Sequence, residues 1–95
     1  MERNISALEF RRIGRNAQID ATKTQVDLLK NECKAKYSLF KKGLMARSEV
    51  SVLERAVADG IGTMARLDAE IMEVNAQIEK FQKEMIQTKE AGGAR

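Results

Sequence analysis

The chain has no proline, no histidine and no tryptophan, a single cysteine, and four aromatic residues in 95. Without proline nothing in it forbids a helix from running through. Without histidine, and with Cys33 alone, it holds no Cys/His cluster for a metal, and the lone thiol has no internal disulfide partner. No apolar run approaches the roughly 20 residues that span a bilayer. The first residues, MERNISALEFRR, carry charges where a secretory leader would carry an apolar stretch. A cytoplasmic location is expected on these grounds, with a nuclear one or export by a signal-less route also compatible.

Catalytic chemistry is equally thin. There is no Gly-rich phosphate loop between a strand and a helix, and no nucleophile beside an evident base. Asp68, Glu70 and Glu73 cluster in sequence, but on a long charged helix such residues are a solvated flank. The chain is expected not to be an enzyme and to hold no cofactor, metal or small-molecule substrate.

What is present is a composition of long helices, 43% hydrophobic and 33% charged, with a heptad pattern laid over it. Val50, Leu53, Val57, Met64, Leu67, Ile71, Val74, Ile78, Phe81 and Met85 recur at alternating steps of three and four, with Gly60 and Thr88 as the non-bulky members of the series. That spacing places them on one stripe of a helix made to lie along another helix. A less clean stripe precedes it: Ile5, Leu8, Ile19, Val26, Leu29, Cys33 and Phe40, interrupted by Arg12, Arg15, Thr22 and Lys36.

The expected fold is all-α, a long antiparallel helical hairpin of coiled-coil type forming a single domain over 1–95. Helix 1 spans about 4–42, with Ser6 and Glu9 at capping-box spacing, and Gly43 stops it. The turn covers 43–48. Helix 2 runs about 49–90 from Ser48 or Ser51, the latter paired with Glu54 as a second capping box, and AGGAR at 91–95 forms a flexible tail. Gly60 and Gly62 each cost a helix about 1 kcal/mol, yet the stripe keeps phase across them. That favours one continuous helix over a three-helix bundle. Folding back pairs Phe40 with Leu53, Cys33 with Gly60, Leu29 with Met64, Val26 with Leu67 and Thr22 with Ile71, centring the turn on Ala46 and Arg47 and setting Lys23 beside Asp68. A parallel rod is the competing arrangement if 43–48 is helical.

Charge supports the antiparallel pairing. Residues 1–47 hold eleven Lys/Arg against five Asp/Glu, a surplus of +6, and residues 48–95 hold six against nine, a deficit of −3.

The hairpin leaves apolar residues over. Phe10, Ile13 and Leu28, with Ala17, Ala21 and Ala35, fall on the outer side of helix 1, and Ala58, Gly62, Ala65, Ala69, Met72 and Ala76 form a second stripe on helix 2, joined by Ile86. These are the candidate partner interface, in a dimer of hairpins making a four-helix bundle or in docking to another helical protein. Arg11, Arg12 and Arg15 are the candidate contact for an acidic partner. The plainer reading of Arg12 and Arg15 is fraying, or a change of phase near Gly14. Cys33 reads as a small seam residue rather than a reactive thiol, and Met64 and Met85 as core, which leaves Met72 as the methionine free to meet a client.

In outline the chain resembles the small coiled-coil hairpins of type III export machinery, stalk and chaperone proteins that contact the export ATPase or hold secreted subunits. The resemblance covers the two-helix layout and heptad spacing from about Ile19 to Met85 and transfers no functional residue. It is one concrete form of the expected function, a non-enzymatic coiled-coil interaction module serving as structural subunit, adaptor or assembly chaperone. The alternative is a nucleic-acid-associated protein touching phosphates through basic helix 1. Against it, the cations are spread along that helix with few aromatic residues to stack on bases.

Overall fold

The computed structural model describes the backbone of residues 2–93 and the side chains of residues 2–89. It consists of two helices, α1 (Glu2–Lys41) and α2 (Arg47–Gly93), packed antiparallel into a rod with extents of 80 × 14 × 12 Å. Both helices are continuous. α1 runs through Gly14, so no short first helix ends at Ile13, and α2 runs through Gly60 and Gly62.

The turn is built by Gly43. Its φ of 74° lies in the left-handed region that glycine enters without penalty. With that residue turned, the Leu44 N–H donates back to the Leu39 carbonyl and the Gly43 N–H to the Phe40 carbonyl, both at 2.9 Å. This is the Schellman arrangement, and it satisfies carbonyls that the helix end would leave unpaired.

The helix starts differ from the sequence expectation. Glu2 opens α1, where a carboxylate suits the positive end of the helix dipole, so Ser6 sits inside the helix rather than capping it. α2 opens at Arg47, and the Ser51 hydroxyl donates back to the Arg47 carbonyl at 3.2 Å. Ser51 is therefore an interior residue and Ser48 lies past the start. At the far end α2 continues to Gly93 instead of giving way to a tail at 91, and Ala94 and Arg95 lie outside the described residues.

Every seam position of α2 from Val50 to Met85 is buried or half-buried, as is every seam position of α1 from Ile5 to Phe40. The polar interruptions obey the same period: Arg12, Arg15, Thr22 and Lys36 are half-buried. The Thr22 hydroxyl donates to the Gln18 carbonyl at 2.8 Å, so it enters the seam with its polar group satisfied.

The register differs from the expected one by a full heptad. Val26, not Cys33, meets Gly60: a Cβ added there would collide with Cγ2 of Val26. Leu8 clusters with Val74 and Ile78, with Ile5 and Phe81 against them, and Arg15 reaches Glu70. Carried along the seam, this places Cys33 opposite Leu53 and centres the turn on Gly43 rather than on Ala46 and Arg47. Lys23 and Asp68 make no ion pair among the described residues. A heptad shift keeps every stripe facing its partner, so the stripes alone cannot select between the two registers. The turn glycine and the close approach at Gly60 do.

Two outcomes test this packing. With the native Cys33 and Leu53→Cys, mild oxidation should close a disulfide in monomeric chain, seen as a mobility shift on non-reducing gels; closure through Gly60→Cys instead would restore the other register. Gly62, with nothing near its Cα, should gain about 1 kcal/mol of stability as alanine. Gly60→Ala should lose about 1 kcal/mol, because the stiff β-branched Val26 cannot move aside. Urea denaturation of the pair reads both signs.

Candidate protein-interaction surfaces

The inner polar joint comes first, because it decides which arginines are free. Arg12 Nη1 donates to Asn75 Oδ1 at 2.9 Å. Arg15 Nε lies 2.7 Å from Glu70 Oε2, and Arg66 Nη1 takes the other carboxylate oxygen, Oε1, at 2.8 Å. The facing atoms of Arg15 and Glu70 are shielded from solvent and meet as an ion pair, without the directed geometry of a hydrogen bond.

These contacts explain how arginine occupies a position built for leucine. Its three-carbon stem covers the seam while the guanidinium reaches out to the flank of α2. Arg15 finds an acidic group, Glu70, within the same chain. Arg11 remains exposed beside this joint and lines, with Arg15, Glu70, Glu73, Val74 and Gln77, a cleft of about 210 Å³. Asp68 and Glu73 are exposed flank residues, and no group of His, Cys, Asp and Glu suited to a metal exists among the described residues. Cys33 is half-buried on the wall of a larger open cleft, about 700 Å³, with Asp27, Lys30, Asn31, Lys34, Glu54 and Val57.

The seam residues Val26, Leu29, Cys33 and Phe40 of α1 and Leu53, Val57, Met64, Leu67, Ile71 and Val74 of α2 all lie in the inter-helix contact zone, with Val26, Leu53, Leu67 and Val74 buried. The outer residues lie elsewhere. Phe10 is 75% exposed, Leu28 65%, Met72 64% and Ile13 61%. Ala58, Gly62, Ala65, Ala69 and Ala76 are exposed along α2. In heptad terms both outer stripes stand nearly opposite the seam of their own helix, so they form the two long edges of a flat rod. The α1 edge carries Phe10, Ile13 and Leu28, and the α2 edge is mostly small residues with Met72 and Ile86 among them.

Sequence reasoning missed five exposed apolar positions: Leu44 at 72%, Val52 at 62%, Ile61 at 49%, Tyr37 at 43% and Leu39 at 37%. Leu44 lies in the connection, where heptad periodicity gives no signal. Among the described residues no helix is long and apolar enough to cross a membrane.

The sequence model of the family described as "AprE, long alpha-helical hairpin" matches residues 1–92, and the chain belongs to that family. No curated protein and no solved structure matches it significantly.

The joint makes a measurable claim. About a third of each side chain of the Arg15–Glu70 pair is solvent-exposed, so a double-mutant cycle with Arg15→Gln and Glu70→Gln should give a coupling of about 0.5–1 kcal/mol. Repeating the urea titrations at high salt should reduce it.

Proposed function

We propose that this member of the long α-helical hairpin family is a non-enzymatic protein-interaction module, a structural subunit, adaptor or assembly chaperone whose outer edges receive a second copy or another helical protein. The observation that carries the reading is the exposure of Phe10, Ile13, Leu28 and Met72 on helices whose seam is already closed. Three of these large apolar side chains lie on the outer side of α1 and one on the outer side of α2, which is apolar surface a partner can cover.

Energetics point the same way. Buried apolar residues among the described ones are Leu8, Val26, Val50, Leu53, Leu67, Val74 and Ile78, a small core for two helices of 40 and 47 residues. A two-helix rod exposes much of the apolar surface it could bury, and association supplies the rest. The small-residue edge of α2 admits a close helix approach, and the large side chains of the α1 edge have the bulk to fill such a groove. A partner presenting either shape, including a second copy, fits.

The alternative, phosphate contact through α1, is weakened by the joint: Arg12 and Arg15 already direct their guanidiniums to Asn75 and Glu70. The action is proposed to take place in the cytoplasm.

Light scattering coupled to size-exclusion chromatography, at low and high salt, is the direct test. A salt-resistant dimer or tetramer is expected, or a monomer that a helical partner recruits. Ala65→Glu with Ala69→Glu should abolish association and leave the circular dichroism of the hairpin helical. A wild-type assembly that falls apart with added salt would favour the electrostatic, nucleic-acid reading.

A further inference from the structure

The middle of the rod is packed more thinly than the stretches on either side. Between Leu53 and Leu67, both buried, the α2 seam offers Val57, Gly60 and Met64, all half-buried. The facing stretch of α1 holds one buried side chain, Val26, with the half-buried Thr22 and Leu29 flanking it. Among the described residues the side-chain ties between the helices, Arg12 with Asn75 and Arg15 with Glu70, both lie nearer the open end. The backbone is weak at the same level. Gly60 and Gly62 sit two residues apart inside α2, and each weakens a helix about fivefold relative to alanine. The Thr22, Thr24 and Thr63 hydroxyls donate to the carbonyls of Gln18, Asp20 and Asp59 at 2.8, 3.1 and 3.1 Å, a bond that tends to bend the helix making it. Beside the contact a cleft of about 310 Å³ opens between Thr22 and Gln25 of α1 and Ala56 and Thr63 of α2. Space on one flank gives a bend its direction.

We propose that the rod carries one latched joint, at the level of Val26 and Gly60. In the straight form the Val26 methyl Cγ2 occupies the space where a Cβ of residue 60 would stand, and this contact is the latch. When the methyl withdraws, the two halves close toward the cleft and each half keeps its own seam. A kink here needs no proline, because glycine and back-bonded threonine supply the local weakness on both helices at once. The apolar cluster of Leu8, Val74 and Ile78 and the arginine joint hold the open-end half together, and Val50 and Leu53 hold the other. The joint does not depend on what the outer edges bind. Its effect is that one half of an edge can meet a partner at an angle to the other half.

Spin labels read the joint directly, in a Cys33→Ala chain diluted into unlabelled protein so that intramolecular distances are measured. Arg55→Cys with Lys83→Cys sets labels about 42 Å apart along α2 across the joint, and Asp68→Cys with Lys89→Cys sets them about 31 Å apart on one side of it. Both pairs should give a single narrow distance. Adding Val26→Ala should give the first pair a second, shorter distance and leave the other pair unchanged. In the unlabelled wild-type chain, amides 60–64 should exchange hydrogen about 25-fold faster than amides 72–76, the product of the two glycine effects, and Gly62→Ala should slow them about fivefold. The proposal is overturned if the first pair stays single and narrow in the Val26→Ala chain, if both pairs broaden alike through general loosening of the rod, or if exchange at 60–64 matches that at 72–76.

Discussion

The two helices can approach as they do only because Val26 meets a residue without a side chain at Gly60. A coiled-coil seam repeats every heptad, so sliding one helix by a heptad returns apolar stripe to apolar stripe at little cost in buried area. Something aperiodic has to choose. Here Gly60 receives a β-branched knob that a Cβ in its place would crowd, and Gly43, turned into the left-handed region, fixes where the chain reverses. Leu8 reaches Val74 and Ile78, and Arg15 reaches Glu70, as consequences of that choice.

The arginines in the seam add to the same selection. A leucine at position 12 or 15 would bury more apolar surface, but it would fit many registers equally well. Arg12 and Arg15 fit where Asn75 and Glu70 are within reach. In the register one heptad away they would face Phe81 and Ile78. Polar groups at seam positions commonly trade stability for a defined pairing.

Much of this was legible in the chain before any coordinates. The heptads announced two helices, and keeping phase across Gly60 and Gly62 announced that the second is unbroken. Gly43 announced where the first ends. The register was misread, because apolar periodicity cannot see a heptad shift. A signal was present all the same: sliding the helices until Arg12 and Arg15 meet polar partners, instead of leaving them opposite Phe81 and Ile78, selects the observed pairing. The expected caps at Ser6 and Ser51 failed because a capping box is a local pattern, and helix already runs through the four residues before each serine. The outer edges were recognisable as leftover apolar surface. Leu44 escaped notice because a connection has no period to break.

The rod's proportions carry a last consequence. Glu2 and Gly93 stand at the end remote from Gly43, and the long dimension of 80 Å lies between that end and the turn. Two continuous helices without a proline make a stiff strut. Whatever grips the open end therefore holds Leu44 at a set distance, and bending or sliding the strut would require breaking the contact at Gly60. The rod thus sets the separation of its two ends along the 80 Å axis.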